Sequence, residues 1–116
     1  MAADARLRRA VAYVEQHLAD NPRLDEVAAH AGLSRSKFFE MFRRELGVAP
    51  RQYADAMRMG IARRMLADSS VSIAHISDVL GFSAATHFSR FFVRHAGIRP
   101  AHYRRREAAM PGRRCD

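Results

Sequence analysis

The sequence is short of cysteine and of long apolar runs, and each shortage removes a class of protein. Its single cysteine, Cys115, stands one residue from the end of a 116-residue chain, so no disulfide framework can form and a reducing compartment fits. No uninterrupted apolar run is long enough to span a bilayer, and the opening "MAADARLRRAV" lacks the apolar core of a signal peptide, so the chain is expected to stay where it is made. The six histidines show no ligand spacing with cysteines or carboxylates, and no metal or cofactor is assigned to them. Nucleophile–base pairs, paired carboxylates and glycine-rich phosphate loops are also lacking, which argues against an enzyme. No segment alternates apolar and polar positions with β-branched residues, so no sheet is expected.

What is present is an apolar fraction of 48%, enough for one domain to bury a core without staples. Twenty Lys and Arg stand against twelve Asp and Glu, a formal net charge of +8, and Lys37 is the only lysine. Arginine binds phosphate and guanine edges bidentately, so the excess favours a polyanionic partner, nucleic acid ahead of a membrane surface.

One stretch occurs twice. "LDEVAAHAGLSRSKFFEMFRRELGVAPRQY" (Leu24 to Tyr53) matches "IAHISDVLGFSAATHFSRFFVRHAGIRPAHY" (Ile73 to Tyr103). Gly32/Gly81, Leu33/Phe82 and Ser34/Ser83 stand 49 apart, whereas Phe38/Phe88, Met41/Phe91, Phe42/Phe92, Gly47/Gly97, Pro50/Pro100 and Tyr53/Tyr103 stand 50 apart. One residue has therefore been inserted just after Ser83. Two copies make a duplicated module, too few for a solenoid.

Each copy reads as helix, tight turn, helix. Val27, Ala28 and Ala31 form a short apolar face ending at Gly32, and Ile76, Val79 and Leu80 are expected to do the same before Gly81. Ser34 and Ser83 are expected as N-caps of the next helices, whose buried stripes are Phe38, Met41, Phe42 and Phe88, Phe91, Phe92. Leu7, Ala10, Val11, Val14 and Leu18 space a first amphipathic helix. Pro50 opens a longer one through about Asp68, with Tyr53, Met57, Ile61 and Met65 at fourfold spacing, and Pro100 opens a last short one. The expectation is an all-α fold of about seven helices: two helix-turn-helix subdomains, homeodomain-like three-helical units, at about 6–49 and 69–107, joined by a linker helix at about 50–68 and followed by a disordered basic tail at 108–116.

A helix pair joined by a short glycine turn is the helix-turn-helix, whose second helix enters the major groove of DNA in DNA-binding proteins. The residues carry a specific resemblance too. "LDEVAAHAGLSRSKFFEMFRRELGVAP", a connecting helix with "MRMGIARRML", and "SIAHISDVLGFSAATHFSRFFVRHAGIRPAHYRR" are together similar to the DNA-binding domain of the AraC/XylS family of bacterial transcription regulators, over roughly Leu7 to Arg105. "GFS…HFSRFF…G…P…YR" is the most specific part. The resemblance implies a bacterial, cytoplasmic, nucleoid-associated regulator that binds double-stranded promoter DNA, an activator ahead of a repressor, with RNA polymerase as a second candidate partner. Most relatives join this domain to a ligand-sensing or dimerisation domain. The chain would then be either an excised C-terminal half or a naturally short regulator, a monomer by itself, with dimerisation left to any separate N-terminal domain.

With the apolar stripes buried, helical geometry turns Arg35, Ser36, Phe39, Glu40 and Arg43 of the first copy outward, and Ala85, Thr86, His87 and Arg90 of the second; these are the candidate base contacts. Arg35, Arg43 and above all Arg90 suit guanine O6 and N7, Glu40 suits cytosine N4, and Phe39 suits a thymine methyl. The alternatives are an intrahelical pair of Glu40 with Arg43 or Arg44, burial of Phe39, and plain solvation of His87. Candidate phosphate contacts are Ser34, Lys37, Arg44, Ser83, Ser89, Arg94, Arg104 and Arg105. Ala84 and Ala85 stand where family members usually carry polar residues. A helix from Pro50 to Asp68 spans roughly 28 Å at about 1.5 Å per residue, near the roughly 34 Å between successive major-groove faces on one side of DNA, so one chain is a sufficient binding unit. The rival reading is a nonspecific nucleoid or RNA-binding protein, equally small, basic and arginine-rich.

Overall fold

The computed structural model describes residues 4–109; the remaining basic tail with Cys115, and all but the first two residues of the segment expected to be disordered, lie outside the described residues. Among the described residues there are seven α-helices and no strand: α1 (Ala5–Gln16), α2 (Leu24–His30), α3 (Arg35–Leu46), α4 (Pro50–Leu66), α5 (Ile73–Val79), α6 (Ala85–Ala96) and α7 (Pro100–Ala108), with a 3-10 turn at Leu18–Asp20. The chain divides into two compact units, one running to Met57 and one from Arg58, so the boundary falls inside α4.

The first unit is organised by α1, α2 and α3. Asp4 starts α1, its carboxylate accepting from the Arg6 N–H at 2.8 Å. Leu7, Ala10 and Val14 are buried with Leu18, Val27, Ala28, Ala31 and Leu33 around the stripe Phe38, Met41, Phe42. Between α2 and α3 the chain reverses through Gly32, whose φ of +79° a side chain would oppose. The Leu33 N–H donates to Ala28 O at 2.9 Å and the Gly32 N–H to Ala29 O at 3.0 Å, which satisfies carbonyls that the end of α2 leaves open.

The second unit repeats this plan. Gly81 has φ +86°, the Phe82 N–H donates to Ser77 O at 3.0 Å and the Gly81 N–H to Asp78 O at 3.1 Å. Its core is Met59, Ala62 and Leu66 of α4, Ile76 and Leu80 of α5, and Phe88, Phe91 and Phe92 of α6. Two expectations change here. Val79 was expected on the buried face of α5 but is 39% exposed, and Ser77 is buried instead. The repeat register explains it: at a spacing of 49, Val79 corresponds to exposed His30 and Ser77 to buried Ala28. On α4 the expected stripe of Tyr53, Met57, Ile61 and Met65 is only half-buried, and the residues that close the core are Met59, Ala62 and Leu66. The helix also stops at Leu66, short of Asp68.

A further difference lies at the start of α6. Ser34 caps α3 as expected, accepting from the Lys37 N–H at 3.1 Å. Ser83 does not cap α6. The inserted residue moves the cap position to Ala84, which has the extended backbone of an N-cap (φ −153°, ψ 150°) but no oxygen to offer. Ser83 Oγ instead shares a 2.9 Å hydrogen bond with His87 Nδ1.

Candidate nucleic-acid interface

The outward face of α3 is laced with weak ion pairs. Arg35 lies 3.6 Å from Asp25 and its guanidinium sits over the Phe39 ring at 5.1 Å. Glu40 pairs with Lys37 at 3.7 Å, neither of the two partners expected for it, and Arg44 lies 3.7 Å from Glu45. Ser36 and Arg43 are exposed beside them. Phe39 is half-buried, edge-on to Phe38 at 5.8 Å between ring centroids, so its exposed part rather than the whole ring is open to a partner. Solvent-exposed pairs of this kind contribute about 0–1 kcal/mol each. A phosphate or a base edge can therefore displace them at little cost.

The outward face of α6 is built differently. Thr86, Ser89, Arg90, Val93 and Arg94 recur every three to four residues along one side of the helix and, with Arg99 from the cap of α7, line an open depression of about 630 Å³. Three arginines, a threonine, a serine and a valine line it, and none of its lining residues is acidic. The Arg94 guanidinium also lies over the Phe91 ring at 5.8 Å. Ala85 and His87 are exposed but do not line the depression.

Arg104 was expected to contact phosphate. Its guanidinium is committed elsewhere: it donates to Val71 O at 2.6 Å, Leu66 O at 2.9 Å, Asp68 O at 3.1 Å and Met65 O at 3.4 Å. It thereby ties α7 to the carbonyl end of α4, where the helix leaves acceptors open and favours a cation. The Ser70 hydroxyl and N–H donate to the Asp68 carboxylate in the same loop, at 2.6 and 3.0 Å, and hold it below the ordinary carboxylate range. Arg105, next along α7, is exposed.

The charge is unevenly divided. The sequence to Met57 holds nine Lys and Arg against eight acids, and the sequence from Arg58 holds eleven arginines against four acids. Nearly all the excess positive charge thus belongs to the second unit. No group of three or more His, Cys, Asp or Glu among the described residues is placed to hold a metal, and no helix among them is long and apolar enough to cross a membrane.

A helix-turn-helix domain family profile matches residues 27–106, which takes in both helix–turn–helix corners and the helix between them. The chain belongs to the AraC/XylS family. It is 33% identical over 102 residues to the arabinose operon regulatory protein of Escherichia coli and 32% identical over 108 residues to the transcriptional activator RhaS of Escherichia fergusonii, covering 87% and 92% of this chain but 35% and 39% of those proteins. The chain thus spans roughly a third of the length of the curated relatives it matches. Among solved structures, the DNA-binding domain of the global transcriptional factor AdpA, crystallised with a target DNA, superposes with a TM-score of 0.82 at 31% identity, over 91% of this chain and 96% of that one.

In this AraC-type domain the structure brings Thr86 and Arg90, expected as base contacts, to one depression with Ser89 and Arg94, expected as phosphate contacts, and leaves Ala85 and His87 outside it. Val93 and Arg99 were missed. Val93 follows Arg90 by three residues, and the repeat aligns it with the outward Arg43, which is the signal that could have found it. Arg99 lies outside α6, and no helical period could assign it to that face.

Proposed function

We propose that the domain binds double-stranded DNA sequence-specifically and regulates transcription from a promoter, as an activator, by laying α3 and α6 into the major groove. The observation that carries the reading is that two turn-capped helices present outward faces of unlike chemistry. One mixes cations with the paired carboxylates of Glu40 and Glu45 beside a half-buried ring; the other is an arginine-rich concavity with no acidic lining residue. A protein that only neutralised phosphate would not need two different faces. The activator named among the relatives, and the related domain solved with its target DNA, support the same reading.

In this proposal Arg35, Ser36, Phe39, Glu40 and Arg43 read one half-site, with Arg35 or Arg43 on guanine and Glu40 on cytosine N4, while Thr86 and Arg90 read the other. Ser34, Lys37, Arg44, Ser89, Arg94 and Arg105 hold phosphates; the free N–H groups and positive dipole end at the start of α3 assist. One chain occupies one asymmetric site of about two helical turns, because its two readers differ in sequence.

Selection of bound duplexes from a random library, followed by a salt titration on the selected and on random sequences, tests this. The expected outcome is an asymmetric site whose preference persists as total affinity falls with salt. Enrichment of no sequence, or preference that vanishes with salt, would assign the protein to nonspecific nucleic-acid binding, and a perfect palindrome holding two chains at the lowest occupied concentration would remove the single-chain site.

A further inference from the structure

Val93 is 38% exposed on a helix whose other large apolar residues, Phe88, Phe91 and Phe92, are buried. It lines the depression together with Arg90 and Arg94, while Arg99 joins them from outside the helix. The aligned residues of the first copy, 50 positions earlier, are Arg43 and Ala49, so apolar and cationic positions are exchanged between the two faces. A branched apolar side chain set among guanidinium groups is poorly suited to phosphate but matches the one apolar group that a base edge offers in the major groove, the thymine C5-methyl. Arg99 ends the turn ahead of α7, its side chain makes no cap hydrogen bond there, and it lines the same depression.

We propose that Val93 and Arg99 complete the DNA-contact surface of the second unit, Val93 as the specificity-determining contact to a thymine methyl and Arg99 as the anchor on a phosphate at the groove edge. This rests on the reading of the domain as a duplex-DNA binder. A guanine held by Arg90 and a thymine touched by Val93, one helical turn along, would give the second half-site a two-base signature that Ala84 and Ala85 cannot supply through hydrogen bonds.

The test uses the duplex selected by the wild-type chain, with each thymine replaced singly by deoxyuridine, which removes only the methyl. Wild type should lose about fourfold in affinity at one thymine, the worth of about one buried methyl group, and Val93→Ala should be indifferent to that replacement. Arg99→Ala should weaken binding to all duplexes alike by about fivefold and lower the log–log salt slope by about one, and Arg99→Lys should restore the slope. Helicity and melting of all three variants should match wild type, because Val93 and Arg99 are exposed. A wild type insensitive to every deoxyuridine, sensitivity that persists in Val93→Ala, or an unchanged salt slope in Arg99→Ala would overturn the assignment while leaving duplex binding intact. Failure of the wild type to bind any duplex would instead defeat the underlying reading.

Discussion

Phe42 meets Tyr53 at 5.5 Å and 73° between rings, and Phe92 meets Tyr103 at 5.4 Å and 72°, so both units hold the same pair in the same attitude. On their outward faces the units have little in common. Glu40 aligns with Arg90, Phe39 with Ser89, Arg43 with Val93 and Ala49 with Arg99. The difference separates two kinds of constraint. Packing density dictates what stands on the inner stripe, where even one methylene is felt, whereas an exposed helical position is free to change sign, size and polarity at little cost in stability. The inner face therefore reports the fold, and the outer face is where the two units are free to differ.

If the likeness of the cores is real, truncating the matched rings should have matched consequences. Phe42→Ala and Phe92→Ala should each lose about 3–5 kcal/mol of stability, as fully buried rings do when they leave cavities, in denaturant melts that follow each unit separately. Phe39→Ala should lose far less, because that ring is only half-buried. Equal losses for Phe39 and Phe42 would mean that the faces of α3 are wrongly divided.

Arg104 marks a second difference between the units. It occupies the position aligned with Ala54, and the second unit relies on it where the first has no guanidinium at all. Arg104→Ala should lower the stability of the second unit by about 1–3 kcal/mol, the range for a charged donor lost from partly buried carbonyls. The first unit should melt unchanged. A variant that kept its stability but lost DNA affinity would return Arg104 to the phosphate contacts.

Much of this arrangement could be read from the sequence alone, and the exceptions have identifiable causes. The rings at i, i+3 and i+4 and the glycine turns are local signals, and both copies carried them. The cap of α6 differs from the expectation because a one-residue insertion transfers the cap position from Ser83 to Ala84, as the 50-residue spacing of Phe38 and Phe88 already implied. Val79 was misassigned although the repeat register aligned it with His30; its β-branched apolar side chain outweighed that register. Arg99 and Arg104 escaped because their partners lie 5 to 39 residues away, on other elements, where no periodicity reaches.

The smallest effects come from making the second unit more like the first. Ala84→Ser restores the missing cap oxygen and should stabilise by about 1 kcal/mol, and Ser34→Ala should cost about the same in the first unit. Ser77→Ala replaces a buried hydroxyl that has no hydrogen-bond partner with the residue found at Ala28, and should stabilise by up to about 1 kcal/mol. Thermal melts of the three variants decide whether the cap and the hydroxyl are the true differences; destabilisation by Ala84→Ser would show that α6 starts from a geometry a serine cannot cap.

The central claim is that two structurally equivalent helices read one duplex with unlike chemistry, and Glu40 and Arg90, the aligned residues of opposite charge, test it most directly. Competition binding of wild type, Glu40→Ala and Arg90→Ala against every single-base variant of the selected site, at two salt concentrations, gives the answer. The account predicts that Arg90→Ala loses about 1–3 kcal/mol at the preferred site and flattens discrimination at one guanine pair. Glu40→Ala should flatten it at a different pair, in the other half-site. Uniform loss of affinity with every base preference intact would contradict the claim and reduce both helices to clamps on the DNA backbone.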